Sequence, residues 1–144
     1  MSWEKGYSIV VDGVTKEEIW KVWQDVNNWH KWDTDIEYAV LNGPFEVGAK
    51  FLLKPKGGPK VNLEFIEVEP LKAYTDFTRF PLAKMYGEHT IHETKNGLEI
   101  QCTIRLKGPL SIVWRKIVAE DIVRGLEKQT AQMIAYAKTQ RGRD

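Results

Sequence analysis

The spacing of apolar residues along the chain changes at residue 36. From there to residue 106, apolar and polar residues alternate in short runs, which is the pattern of strands with one buried and one wet face. Turn-forming glycine, proline and asparagine separate the runs. We therefore expect an antiparallel sheet with inward positions at Ile36, Tyr38, Val40, Phe51, Leu53, Val61, Leu63, Phe65, Ile91, Leu98, Ile100, Cys102, Ile104 and Leu106.

Two segments have helical spacing instead. Thr15 and Glu18 stand three residues apart in the form of a capping box, and apolar residues follow at helical intervals, so residues 15–24 are predicted to form a short helix. Residues 111–138 are predicted to form a long helix, with an apolar stripe of Val118, Ile122, Leu126, Met133 and Ala137.

The order of these elements predicts the fold class. A strand at residues 7–11 precedes the short helical region, about six further strands follow, and the long helix ends the chain. This order predicts a single α+β domain over residues 1–144, with the long helix covering a curved sheet. Any space that the helix does not fill would be an apolar cavity.

Composition excludes several classes of function. The chain has 144 residues and a net charge of +1, so no broad basic surface for nucleic acid or an anionic membrane is expected, although local patches remain possible. No apolar run is long enough for stable membrane insertion, and the N-terminal residues lack a signal-peptide pattern. The expected location is the cytoplasm. Cys102 is the only cysteine, and its alternation with apolar neighbours predicts a buried small side chain.

Several short motifs resemble one protein family in their order and spacing. They are Ile19-Trp20, the run from Asp25 to Trp32 with its Trp-x-x-Trp, Gly48, Glu67-Val68-Glu69-Pro70, and Gly108-Pro109-Leu110. The chain resembles the polyketide cyclase/dehydrase and lipid-transport group of the START-like (SRPBCC, Bet v 1-like) superfamily. This resemblance implies the helix-grip fold, in which a curved seven-stranded antiparallel sheet, with two short helices after its first strand, wraps a long C-terminal helix around a hydrophobic cavity. Family members include carriers, binding proteins and some enzymes, so the fold does not fix the function.

Four of the six tryptophans fall between residues 20 and 32. Trp20 and Trp23 are predicted to be core residues. The resemblance places Trp29 and Trp32 beside the cavity mouth, where they either fasten a helix to the sheet or, for Trp32 above all, also line the entrance. Trp114, near the start of the long helix, is a further candidate for the cavity wall.

His89 is the polar residue of greatest interest. It shares strand parity with Ile91 and should face the cavity, either as a hydrogen-bonded core histidine or as a ligand anchor. Asp76 is the only acidic residue that could join it, but both faces of its strand carry an aromatic residue, so its direction stays open. His30 and His92 should face water, so no metal site is expected.

Three functional hypotheses follow. The favoured one is a binder or carrier of a lipid-like or aromatic small molecule, without a cofactor. The second is a cyclase or dehydratase that uses His89 and Asp76 as an acid–base pair. The third, a protein-interaction module, requires exposed tryptophans. The oligomeric state stays open. The predicted ligand-binding residues are Trp32, Phe51, Leu63, Phe65, His89, Ile91, Trp114, Ile122 and Leu126.

Overall fold

Seven antiparallel strands form one sheet in the computed structural model, which describes residues 2–141. The ends of the predicted domain, residue 1 and residues 142–144, lie outside the described residues. The strand order is β1-β7-β6-β5-β4-β3-β2, so the first and last strands pair and β2 lies at the far edge. The strands are β1 Ser2–Val11, β2 Ile36–Leu41, β3 Lys50–Pro55, β4 Val61–Glu69, β5 Ala73–Phe80, β6 Ala83–Thr94 and β7 Gly97–Lys107. The predicted antiparallel sheet is confirmed, and β1 begins five residues earlier than expected. The inward direction expected for Val40 is wrong: the register shifts between Ile36 and Tyr38, so Ala39 and Leu41 are buried and Val40 is exposed.

The short helical region follows β1. Helix α1 spans Lys16–Gln24, and both bonds of the predicted capping box form: the Glu18 amide donates to Thr15 Oγ1 at 3.1 Å and the Thr15 amide donates to Glu18 Oε1 at 2.9 Å. A 3₁₀ helix, Val26–Lys31, comes next. The Asn27 side chain fastens it to the edge strand, since its amide group donates to the Leu41 carbonyl at 3.0 Å and its oxygen accepts from the Leu41 amide at 2.9 Å.

The C-terminal helical region runs from residue 111 to 139, one residue beyond the prediction. It consists of α2, Ser111–Trp114, a π-helical segment, Arg115–Ala119, and α3, Glu120–Thr139. We call this continuous region the C-terminal helix. The π-helical segment has no signal in the sequence pattern. No helix among residues 2–141 is long and apolar enough to cross a membrane.

The antiparallel topology divides the loops between two ends of the sheet. The β3–β4 loop, the β5–β6 loop and the connection from β7 to the C-terminal helix lie at one end, which we call end A; the start of β1 lies there too, because Ser2 pairs with Lys107. The β2–β3, β4–β5 and β6–β7 loops lie at the opposite end, end B.

The interior contains two clusters of buried side chains. The larger is rich in aromatic rings, among them Trp29, Phe51, Phe65 and Tyr74, and the Phe51 and Phe65 rings stack 4.4 Å apart. The smaller cluster includes Met85, Cys102, Ile104, Leu106, Ala119 and Leu126. Side chains of both clusters border one cavity between the sheet and the C-terminal helix.

Candidate ligand-binding cavity

A cavity of about 580 Å³ lies between the sheet and the C-terminal helix. Its volume falls within the range of sites that bind drug-sized molecules. Its wall is mainly apolar and includes Trp23, Trp29, Trp32, Leu53, Leu63, Tyr74, Phe80, Met85, Ile100, Ile104, Val118, Ile122, Leu126 and Met133. A wall of this kind favours a hydrophobic occupant, since each apolar group of the occupant leaves water on binding.

The cavity opens to solvent at end A. Asp35, Lys56 and Asp121 border it and are themselves exposed. Asp35 immediately precedes β2, Lys56 immediately follows β3, and Asp121 lies on the first turn of α3. The entrance therefore lies between the edge of the sheet and the beginning of α3.

A polar group lies in the wall on the central strands. His89 on β6 is opposite Tyr74 on β5 and Cys102 on β7. The Tyr74 and His89 rings are stacked 4.3 Å apart with an interplanar angle of 11°, and Cys102 Sγ is 4.0 Å from His89 Nε2. The inward direction predicted for His89 from strand parity is confirmed.

Asp76 completes this group. Its Oδ2 atom lies 3.5 Å from His89 Nε2, and each of the two side chains is 16% exposed. Both residues border the cavity. The question that the sequence left open is answered: Tyr74 and Asp76 face inward, while Phe77 packs against Tyr86 with ring centroids 5.2 Å apart.

The charges of this group follow from its surroundings. Burial acts to lower the pKa of His89, but the Cys102 sulfur and the Asp76 carboxylate act in the opposite direction and raise it from 6.5 to about 10. The Asp76 carboxylate lies 3.5 Å from the ring, and an anion at that distance stabilises the imidazolium. Burial, then Asp76 and Cys102, raise the pKa of Tyr74 well above its ordinary value. At neutral pH the cavity therefore holds an imidazolium beside a carboxylate and a neutral phenol.

Comparison with known proteins agrees with this architecture. Residues 6–137 match the family described as polyketide cyclase / dehydrase and lipid transport. The chain belongs to this family. The resemblance inferred from the tryptophan and glycine motifs is thereby confirmed. A comparison with functionally curated proteins found no match.

Solved structures with this fold include proteins of diverse description. The two-domain ARO/CYC protein StfQ of the steffimycin biosynthetic pathway has a TM-score of 0.78 at 11% identity, over 98% of this chain and 52% of that one. Norcoclaurine synthase from Thalictrum flavum, in complex with dopamine and hydroxybenzaldehyde, has a TM-score of 0.75 at 13% identity, over 100% and 90% of the two chains. The hypothetical protein jhp0584 from Helicobacter pylori has a TM-score of 0.75 at 16% identity, over 94% and 88%. At these identities the similarity shows the fold.

Five of the predicted ligand-binding residues border the cavity of this protein. They are Trp32, Leu63, His89, Ile122 and Leu126, together with Asp76 from the acid–base hypothesis. Their roles in binding stay predictions.

Four predicted residues lie elsewhere, and their expected place in the wall is corrected. Phe51, Phe65 and Ile91 are at most 5% exposed and belong to the aromatic-rich core cluster. The alternation of apolar and polar residues showed that they lie on the inner face of the sheet, but not whether they lie beside the cavity or in the packed core. Trp114 stacks on Phe80 at 4.5 Å, and its indole N–H donates to the Pro81 carbonyl at 2.9 Å, outside the cavity.

A second polar contact in the cavity wall was not predicted from the sequence. Asp33 is 3% exposed, and its carboxylate accepts from Gln129 Nε2 at 2.8 Å and from the Asp35 amide at 3.0 Å. Asp33 and Gln129 both border the cavity. The polar neighbours of Asp33 in the sequence gave no sign of burial.

Trp23, which was predicted as a core residue, and Trp29, which was predicted to lie beside the cavity mouth, both border the cavity. The indole N–H of Trp29 donates to the Trp23 carbonyl at 3.1 Å, which fixes that ring in the wall. Among residues 2–141, no group of three or more histidine, cysteine or acidic side chains is arranged to hold a metal ion.

Proposed function

We propose that this protein binds a hydrophobic small molecule that carries a hydroxyl or similar polar group, in the cavity between the sheet and the C-terminal helix. The observation that carries the proposal is the Asp76–His89 pair, which lies in an otherwise mainly apolar wall. The apolar wall would supply most of the binding free energy, and the pair would orient the ligand.

The geometry of the pair leaves capacity for a ligand. The 3.5 Å separation of Asp76 Oδ2 and His89 Nε2 exceeds the usual length of a charge-assisted hydrogen bond, about 2.7–2.9 Å. A hydroxyl group both donates and accepts, so it can donate to the carboxylate while accepting from the imidazolium. A ligand with such a group would satisfy both partners, whereas a pure hydrocarbon would satisfy neither.

The test compares two probes that differ by one hydroxyl group, naphthol and naphthalene. The variant used is the double substitution His89→Phe/Asp76→Asn. Its phenylalanine retains a ring to stack on Tyr74 and removes the hydrogen-bond donor, and its asparagine avoids a buried unpaired carboxylate. It should weaken naphthol binding by about 1–3 kcal/mol and leave naphthalene binding unchanged. Equal losses for both probes would assign the pair to structure and contradict its role in orientation.

An enzyme of the cyclase or dehydratase type is the second candidate. The observation in its favour is that Asp76 and His89 border the same cavity, as acid–base catalysis requires. The raised pKa of His89 argues against it, because a general acid works best when its pKa is near the working pH. Turnover of a polyketide-like substrate that is lost in both His89→Phe and Asp76→Asn would support catalysis over carriage.

The interaction-module hypothesis required exposed tryptophans. Trp20, Trp23, Trp29 and Trp32 are all buried, at 8% exposure or less, so these residues do not supply that surface. The cytoplasmic location stays a prediction.

A further inference from the structure

Exposed apolar side chains cluster at end A of the sheet. Nine large aliphatic residues among the described residues are exposed, and five of them occur in two segments that meet at this end. We call these five the end-A patch: Leu82, Leu110, Ile112, Val113 and Ile117. Single exposed apolar residues are common on protein surfaces, whereas a contiguous group indicates an interaction site.

The patch is held in place by direct contacts between the two segments. The Leu110 amide donates to the Leu82 carbonyl at 3.1 Å, and the Trp114 ring of one segment stacks on the Phe80 ring of the other. Leu82 is 65% exposed at the tip of the β5–β6 loop, with φ of 56°. That left-handed conformation is uncommon for a large apolar residue, and glycine or asparagine is the usual choice. The chain therefore presents an exposed leucine where a polar turn would be easier to form.

Positive charge surrounds the patch. Residues 79–84 and 107–117 contain five basic residues and no acidic one, although the whole chain has a net charge of only +1. Arg115 is paired with Glu120 at 2.7 Å. For the other four, no ion pair is present within residues 2–141; they are Arg79, Lys84, Lys107 and Lys116. The two segments that form the patch are therefore basic, and the exposed acidic residues Asp35 and Asp121 at the cavity entrance lie outside them.

The patch lies at the same end of the sheet as the cavity entrance. Ile117 is 59% exposed, whereas the next residue, Val118, borders the cavity. Phe80 likewise borders the cavity and supports the patch through Trp114. A surface bound to the patch would therefore face the opening.

We propose that the end-A patch docks onto an anionic lipid bilayer. Aliphatic side chains on a loop tip and on the start of a helix suit insertion among lipid headgroups, and the surrounding lysine and arginine residues match the charge of anionic lipids. A second copy of the chain fits less well, because two copies meeting through this face would bring like charges together. The proposal does not depend on the identity of the cavity ligand.

Vesicle flotation tests the proposal with the full chain. The wild type should float with vesicles of phosphatidylcholine and phosphatidylglycerol, bind pure phosphatidylcholine vesicles much less, and be released by salt. Leu82→Glu/Ile117→Glu should reduce binding by more than roughly tenfold, because it places two carboxylates against an anionic surface. The triple variant Lys84→Gln/Lys107→Gln/Lys116→Gln should reduce binding by about fivefold for each charge removed.

Matched controls come from end B. Val47 is 61% exposed in the β2–β3 loop, so Val47→Glu places one carboxylate at an exposed apolar residue far from the patch. Lys50→Gln/Lys72→Gln/Lys95→Gln removes three exposed lysines at that end. Both controls should bind anionic vesicles like the wild type. Absence of wild-type binding to anionic vesicles, or equal losses in the controls, would overturn the proposal. A wild-type dimer that Leu82→Glu/Ile117→Glu makes monomeric, with vesicle binding unchanged, would assign the face to a second copy and also overturn it.

Discussion

Gly87 lies directly opposite Asp76 on the neighbouring strand, and a methyl group at residue 87 would lie 2.7 Å from Asp76 Oδ1. The absence of a side chain at residue 87 therefore leaves the space that the carboxylate occupies beside His89. The backbone of Gly87 does not have a positive φ, so the contact with Asp76 is the obstacle to a larger residue.

Alanine at residue 87 should separate the charged pair. In Gly87→Ala the carboxylate must move, so the pKa of His89 should fall from its raised value toward that of an ordinary histidine. A nuclear magnetic resonance titration of the imidazole measures this directly. Gly125→Ala is the matched control: Gly125 also borders the cavity, but its added methyl would lie 4.0 Å from the nearest atom, Asp35 Oδ2. An unchanged His89 titration in Gly87→Ala would show that Gly87 does not position the carboxylate.

The raised pKa of His89 predicts a pH dependence of stability. The folded protein holds this proton more tightly than the unfolded chain, so the contribution is fully present below pH 6.5 and is lost as pH rises toward about 10. Between these values, the free energy of unfolding of the wild type should fall relative to His89→Phe, by at most about 1.4 kcal/mol per pH unit. Denaturant unfolding of both proteins across this interval gives the difference, and parallel curves would mean that His89 is not protonated more readily when folded.

Much of the fold was predictable because its signals are local. Alternation defined the strands, and the spacing of Thr15 and Glu18 defined the start of α1. The direction of Asp76 was not predictable, since it depends on which aromatic neighbour packs inward. The prediction that Phe51 and Phe65 line the cavity was wrong for a related reason. The period of the apolar residues assigns each residue to a face of the sheet, but the boundary between packed core and cavity depends on the curvature of the sheet and the path of the C-terminal helix.

The exposure of the end-A patch was likewise not predictable from local spacing. Ile112, Val113 and Ile117 lie within the predicted long helix but outside its predicted apolar stripe. Their exposure depends on how α2 and the π-helical segment pack against the β5–β6 loop, and no local spacing rule describes that contact.

Asn27 should contribute to stability through the edge strand. Removal of its side chain in Asn27→Ala leaves the amide and the carbonyl of Leu41 without these partners, and should cost about 1 kcal/mol because water can partly replace them. The 3₁₀ helix carrying Trp29 should loosen as well. Chemical denaturation measures the loss, with Asn42→Ala in the exposed β2–β3 loop as the control. Equal stability of the two variants would argue against this anchoring role.

Naphthol binding to a protein with a filled cavity tests the central claim most directly. Leu126 is 2% exposed and borders the cavity, so Leu126→Trp places an indole in the proposed ligand space. Ala135 is exposed on the same helix, and Ala135→Trp adds the same ring outside the cavity. Calorimetry should show naphthol affinity reduced by more than roughly tenfold in Leu126→Trp, as expected when a ligand loses its apolar contacts, and unchanged in Ala135→Trp. Wild-type affinity in Leu126→Trp, with the fold intact by circular dichroism, would contradict ligand binding between the sheet and the C-terminal helix.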